Sequence, residues 1–143
     1  MDAKLRALVR ERAGHRCEYC QLHEADDDFL SFHVEHVIAK QHGGIDNFSS
    51  LCYSCPECNR SKGPNLSGFL EGGIYPLFNP RTQNWHRHFR WEHTLLVGNT
   101  KTGIVTIHVL KINDQDRIML REDLFFAGRF PPDVEEESID HSS

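Results

Sequence analysis

Five cysteines constrain this chain more than any other feature: Cys17 and Cys20 in "CEYC", then Cys52, Cys55 and Cys58 in "LCYSCPECNRSKG". Each neighbouring pair is separated by two residues, the spacing with which a tight turn presents two sulfurs to one metal ion. Four thiolates complete a tetrahedral zinc site, and two knuckles with an intervening segment are how closed, structural zinc sites are built. Cys17 and Cys20 form the first knuckle. The second is either Cys52/Cys55 or Cys55/Cys58. We prefer Cys55/Cys58, because Asn59 and Lys62 follow Cys58 at a spacing that matters below. Cys52 is then left as a small buried hydrophobe on the strand face opposite Tyr53.

A structural zinc suits a chain of this size. At 143 residues it is one domain by length, with a modest core that gains from a metal staple. Charged residues at 26% and hydrophobic residues at 38% describe a soluble globular protein. No apolar run approaches the ~20 residues needed to cross a bilayer, and the first residues lack a secretory pattern. The expected setting is the cytoplasm, where cysteines stay reduced and C-x-x-C points to metal rather than disulfide.

The formal net charge of −5 argues against a nucleic-acid partner only on the surface of it. The tail "DVEEESIDHSS" holds five acidic residues, while Lys4, Arg6, Arg10, Arg12 and Arg16, then Arg60 and Lys62, then Arg81, Arg87 and Arg90 cluster. Clustering, not net charge, makes a backbone-binding face. Ordinary solvated helix faces explain the same charges equally well.

Local patterns give the elements. Leu5, Leu8, Val9 and Arg12 share a helical spacing over 2–13, stopped at Gly14. "FLSFHVEHVIA" (29–39) reads as a strand and "KQHGGIDNFSS" as a loop. "NRSKG" reads as the start of a short helix directly after Cys58. In "NPRTQNWHRHF", Asn79 is placed as an N-cap with Pro80 at the first helical position. "WEHTLLVGNTKTGIVTIHVL" reads as a hairpin turning at Gly-Asn-Thr-Lys-Thr-Gly. "NDQDRIMLREDLFF" reads as a helix capped by Asn113 or Asp114. The segment from Pro131 onward reads as disordered.

Between and beside the knuckles stand "HVEHVIAKQHGG", Asn47 and "CNRSK". In this combination the segment 15–63 resembles the HNH endonucleases. Residues 76–91, "PLFNPRTQNWHRHFRW", resemble a segment that follows the core in small stand-alone bacterial members. The resemblance implies an α+β fold, with a ββα-metal core stapled by the zinc of Cys17, Cys20, Cys55 and Cys58. Flanking helices and a C-terminal β-hairpin would complete it. It implies one nuclease domain over 1–130, with the core at 15–63, an elaboration at 76–130, and 131–143 as the tail.

The resemblance also implies roles. His36 takes the position of the general base, and Glu35 that of the acidic metal ligand. Asn59 stands at the last letter of HNH, where Asn substitutes for His. The middle letter departs: Ser50 occupies its place and Asn47 lies three residues earlier, which puts the positioning of His36 in question. Glu35 and Asn59 offer hard oxygens suited to Mg²⁺ or Mn²⁺, and a neutral imidazole accepts a proton near neutral pH. Arg60, Lys62 and His42 are the candidates for contact with the DNA backbone, and His33 for support of Glu35. The cluster "WHRHFRW" fits a nucleic-acid surface or an aromatic core equally. The expected activity is divalent-metal-dependent hydrolysis of phosphodiester bonds in DNA, by a monomer or a homodimer and without a membrane partner. A ribonuclease with the same centre, or a non-catalytic zinc module that binds nucleic acid or protein, are the alternatives.

Overall fold

The first helix, α1 (Ala3–Arg12), begins where the Asp2 carboxylate accepts the Leu5 amide at 2.7 Å, and ends before Gly14, whose φ is 64°. Its Val9 is fully buried and meets Leu51 and Tyr53 in a small apolar cluster shared with Leu5, Phe32 and Val34. The computed structural model describes residues 1–27 and 31–132. The expected disorder of the acidic tail therefore falls largely outside the described residues.

Among the described residues, three separate two-stranded antiparallel hairpins follow, interleaved with helices. Strand β1 (His33–His36) pairs with β2 (Leu51–Ser54), in a register that sets Glu35 opposite Cys52 and His36 opposite Leu51. Helix α2 (Pro56–Lys62) leaves the end of β2 and packs on β1. It starts three residues earlier than its sequence suggests. Pro56 occupies its first turn, and the Cys55 sulfur caps it by accepting the Cys58 amide at 3.4 Å. Cys58 is thus a helical residue rather than the one before a helix.

Strands β3 (Ser67–Leu70) and β4 (Gly73–Pro76) form a second hairpin that the sequence reading left blank. Its turn is carried by Glu71 and Gly72, with φ of 49° and 80°, the conformation for which glycine is favoured in tight hairpins. Beyond it, Asn79 and Pro80 do not open a helix. The Asn79 side chain accepts the Arg81 amide at 2.8 Å in a side-chain-capped turn. The short helix α3 (Trp85–His88) is capped instead by Asn84.

A third hairpin, β5 (Phe89–Glu92) with β6 (Leu95–Gly98), turns at His93 and Thr94. The second apolar run expected as its partner is a helix, α4 (Lys101–Val109). Thr100 caps it by accepting the Gly103 amide at 3.1 Å, and Gly103 packs so closely that a Cβ there would lie 2.1 Å from the His88 carbonyl oxygen. Val105 and Leu110 are buried in the main core, so tertiary burial overrides the strand preference of β-branched residues. Helix α5 (Gln115–Phe126), with Asp114 at its N-cap as expected, ends the described chain. The C-terminal part is therefore a hairpin followed by two helices, not a terminal hairpin. Among the described residues no helix is long and apolar enough to cross a membrane.

One ion pair fastens α1 to this frame. Glu24 accepts Arg10 Nε at 2.8 Å and Nη2 at 2.5 Å, and also the Tyr53 hydroxyl at 2.8 Å. These bonds, Arg10's first, hold the Glu24 carboxyl down at about 2, below its ordinary 4.5. A carboxylate depressed by folding contributes stability in full above its unfolded value and loses it as pH falls toward the folded one. Glu24→Gln is expected to cost about 1 kcal/mol at neutral pH, since Arg10 is largely solvated. The difference from wild type should shrink below about pH 4.5 and vanish near pH 2. Denaturant midpoints measured at pH 7 and pH 3 check it.

Candidate functional site

Both knuckles are tight turns that aim an amide at a sulfur. Cys20 N–H donates to Cys17 Sγ at 3.5 Å, and Cys58 N–H to Cys55 Sγ at 3.4 Å. The first is shaped by the Cys17 amide bonding the Leu22 carbonyl at 2.8 Å, and by Gln21 at a φ of 66°. Glu18, inside that knuckle, is locked to β2: its amide donates to the Tyr53 carbonyl at 2.9 Å, and its carboxylate accepts the Tyr53 amide at 2.8 Å. Arg81 pairs with the other oxygen of Glu18.

These turns bring the sulfurs of Cys17, Cys20, Cys55 and Cys58 within 4.8 Å of one another, all four side chains buried. Zinc–sulfur bonds of about 2.3 Å in a tetrahedron require sulfurs about 3.8 Å apart. The Cys20 and Cys55 sulfurs stand at 3.7 Å. The tetrad is thus able to hold a zinc ion in a closed site, with no position left for substrate. Burial pushes the Cys17 thiol up. Cys20, hydrogen-bonded by Cys17, Cys55 and Cys58, is pushed down.

Cys52 stands apart from the tetrad. It is fully buried on the Glu35 side of the hairpin, its sulfur 3.7 Å from the Tyr19 hydroxyl and 3.8 Å from Glu35 Oε1. It belongs to the main apolar core, as expected of it, with the Tyr19 hydroxyl and Glu35 as polar neighbours. Burial and the Glu35 charge hold its thiol well above the ordinary range.

Glu35 and His36, consecutive at the end of β1, turn to opposite sides of the strand. Glu35 is half-buried toward Cys52, and burial raises its carboxyl while Lys62 pulls it back down. Lys62 is only 3% exposed and donates to the Val37 carbonyl at 3.2 Å. Its ammonium is turned inward rather than toward a phosphate; Arg60 and His42, by contrast, are exposed. Asn59 is half-buried in α2, the helix packed on β1, which sets it on the element adjoining Glu35. His33 is exposed at the other end of the strand.

His36 meets a residue that sequence reasoning missed. Its Nε2 lies 2.5 Å from Asp46 Oδ1, and Lys40 stands 3.5 Å from the same oxygen. The Gly-Gly pair makes this possible: a Cβ on Gly44 would sit 1.8 Å from the Ile38 carbonyl oxygen. Only glycine lets the loop fold back so closely on the strand it has just left. The carboxylate two residues after Gly43-Gly44 was the available signal.

Neither residue read at the middle letter touches the imidazole through a side-chain bond the structure shows. Asn47 accepts the Ser49 hydroxyl at 2.7 Å, and Ser50 ties the loop to β1 through its carbonyl, which accepts the Val37 amide at 3.0 Å. The loop is pinned from α1. Arg12 donates to the Phe48 and Leu51 carbonyls, both at 2.5 Å, with its guanidinium 3.8 Å from the Phe48 ring centre.

The "WHRHFRW" cluster resolves in favour of core. Trp85 Nε1 donates to the Tyr19 carbonyl and Trp91 Nε1 to Gln21 Oε1, both at 2.8 Å, and Phe89 is buried between. The aromatic side chains brace the first knuckle from behind, leaving His86, Arg87 and Arg90 outside.

Residues 17–65 match the model of the HNH endonuclease family, a segment that holds both knuckles, the β1–β2 hairpin and α2. The chain is also 26% identical over 117 residues to the Septu protein PtuB of Bacillus thuringiensis, a homologue. The alignment covers 80% of this chain and 43% of that protein, so the chain spans less than half of its relative's length. No solved structure gives a significant match.

Purified protein is expected to contain about one zinc per chain. Cys17→Ser and Cys58→Ser should lose it and unfold. Cys52→Ser should keep it at a cost of roughly 1–2 kcal/mol, the effect of a buried small-residue change outside the tetrad. Elemental analysis of the three variants checks the assignment; zinc lost from Cys52→Ser but not from Cys58→Ser would reverse it.

Proposed function

We propose that the chain is a divalent-metal-dependent endonuclease that hydrolyses phosphodiester bonds in DNA, with residues 1–130 acting as one domain. A single observation carries this reading. The family match falls on a hairpin and helix whose strand end bears Glu35 and His36, stapled by a tetrad that takes no part in chemistry. This is the arrangement expected of a ββα-metal core.

In this reading the site lies across the end of β1, with Glu35 and Asn59 on one flank and His36 on the other. His36 accepts the proton of the attacking water. With the Asp46 carboxylate on Nε2, that nitrogen carries the ring proton and Nδ1 is the acceptor. Asp46 thereby holds both the orientation and the tautomer of the base, work that falls to it where Ser50 stands at the middle letter. Glu35 and Asn59 hold Mg²⁺ or Mn²⁺ through oxygens. The fit is chemical: a carboxylate raised by burial regains its charge most readily beside a cation. When bound, such an ion supplies Lewis acidity to the phosphoryl oxygen and to the departing 3′-oxygen. As water attacks, the phosphorus–3′-oxygen bond breaks, leaving a 5′-phosphate and a 3′-hydroxyl. Arg60 and His42 face solvent and contact the backbone, while Lys62 acts from inside by tempering Glu35.

Supercoiled plasmid incubated with Mg²⁺, Mn²⁺ or EDTA tests the proposal. Nicking is expected with either metal and not with EDTA. His36→Ala should slow it by on the order of 10²–10⁴, with zinc content unchanged. Glu35→Gln keeps the shape but not the charge, so it should need more Mg²⁺ for the same rate. Wild-type protein that cuts under no metal condition, or a fully active His36→Ala protein, would refute the reading.

A further inference from the structure

The metal centre described above ends at four sulfurs, yet a fifth side chain reaches it from outside the matched segment. Four thiolates around one divalent cation leave two negative charges in excess, buried where solvent cannot disperse them. Arg117, on α5, donates Nη2 to Cys58 Sγ at 3.0 Å and stands 3.8 Å from Cys55 Sγ, with Nη1 on the Leu110 carbonyl at 2.7 Å. One turn on, Arg121 is 3% exposed, held by the Thr94 carbonyl at 2.8 Å and by Asn113 Oδ1 at 3.2 Å. Its guanidinium lies 5.2 Å from the Trp91 ring centre. Both arginines line one cavity of about 340 Å³ with Cys20.

Two cations four residues apart on one helix repel, and withdrawing them from water costs more. Among the described residues no carboxylate forms an ion pair with either. Glu57, Asp114 and Asp116 line the same cavity without pairing with either, whereas the Cys58 sulfur lies within hydrogen-bond distance of Arg117. We infer that α5 is the outer part of the metal centre: Arg117, by direct N–H···S bonds to Cys58 and Cys55, offsets the charge of the zinc tetrathiolate and holds its metal. The inference rests on the tetrad binding zinc, and is independent of the nuclease reading.

Two consequences follow from the chemistry. A hydrogen bond to a thiolate withdraws the electron density with which sulfur attacks electrophiles, so Cys58 is shielded from alkylation and oxidation. Metal retention also becomes a property of the whole chain rather than of residues 17–65, because the compensating charge is carried near the C-terminal end. Loss of an outer partner of a metal ligand commonly costs 10–100-fold in affinity.

The test compares intact wild type, Arg117→Gln, Arg117→Lys and the surface control Arg90→Gln, each loaded with zinc. Zinc transfer to a chromophoric chelator is followed in native buffer, alkylation by iodoacetamide is mapped by peptide mass, and a cobalt-substituted sample of each is examined by absorption. Arg117→Gln is expected to release zinc at least 10-fold faster than wild type, with Cys58 the first thiol alkylated. Its sulfur-to-cobalt charge-transfer band should move to longer wavelength, since the sulfur lone pairs lose a donor. Arg117→Lys, which keeps the charge but not the fork, should fall between, and Arg90→Gln should match wild type. If Arg117→Gln cannot be recovered folded, Arg117→Lys carries the comparison alone, with faster release and a shifted band expected. Unchanged release and an unchanged band in the folded variant would overturn the inference. Wild-type protein that binds no zinc would overturn it together with the metal centre itself.

Discussion

Everything in this molecule that bears on function hangs from the meeting of four sulfurs. The two knuckles lie far apart in the chain, and the segment between them contains β1, the Gly-Gly loop and β2. Closing the tetrad fixes both ends of that segment at one point, so a four-residue hairpin, marginal by itself, becomes a rigid support. Glu18 adds a paired backbone and side-chain lock between the first knuckle and Tyr53, and Trp85 braces the same turn through the Tyr19 carbonyl. The metal site is therefore the hub from which α1, β2, α2 and the aromatic cluster are positioned.

Around that hub the polar groups divide the labour. A guanidinium, that of Arg117, meets the sulfurs of Cys58 and Cys55. Elsewhere, the half-buried Glu35 meets buried Lys62, Cys52 and Tyr19, and the Lys62 charge pulls down a carboxyl that burial raises. Beyond the strand end, Asp46 meets His36 in a loop that Arg12 fastens through two carbonyls. Each arrangement depends on chain segments far apart in sequence. Arg12 belongs to the first helix and Arg117 to the last, yet both act on the centre between them.

How much of this could be read beforehand depended on whether the cause was local. The knuckles were legible because C-x-x-C spacing is itself the geometry of a metal turn. The choice of Cys55/Cys58 over Cys52/Cys55 followed from the residues immediately downstream. The last helix was legible from its cap at Asp114. "GIVTIHVL" was not, because β-branched side chains favour strands locally, and only burial against the hairpins makes that run a helix. The hairpin at Glu71-Gly72 carried a turn signal that was overlooked. Asp46 had a signal in its place just after Gly43-Gly44, but Arg12 and Arg117 were beyond reach: a guanidinium in sequence says nothing of the carbonyl or sulfur it will meet. The hydrogen bonds of Lys62, which turn it inward, were hidden in the same way.

The proposed nuclease chemistry needs a second, oxygen-lined metal site on the hairpin, separate from the sulfur tetrad. Anomalous diffraction from crystals soaked in Mn²⁺, collected at the zinc and manganese edges, tests it most directly. The account predicts a zinc peak among Cys17, Cys20, Cys55 and Cys58, and a distinct manganese peak bounded by Glu35 and Asn59. Manganese found only at the sulfurs, or at no site beside Glu35, would contradict it.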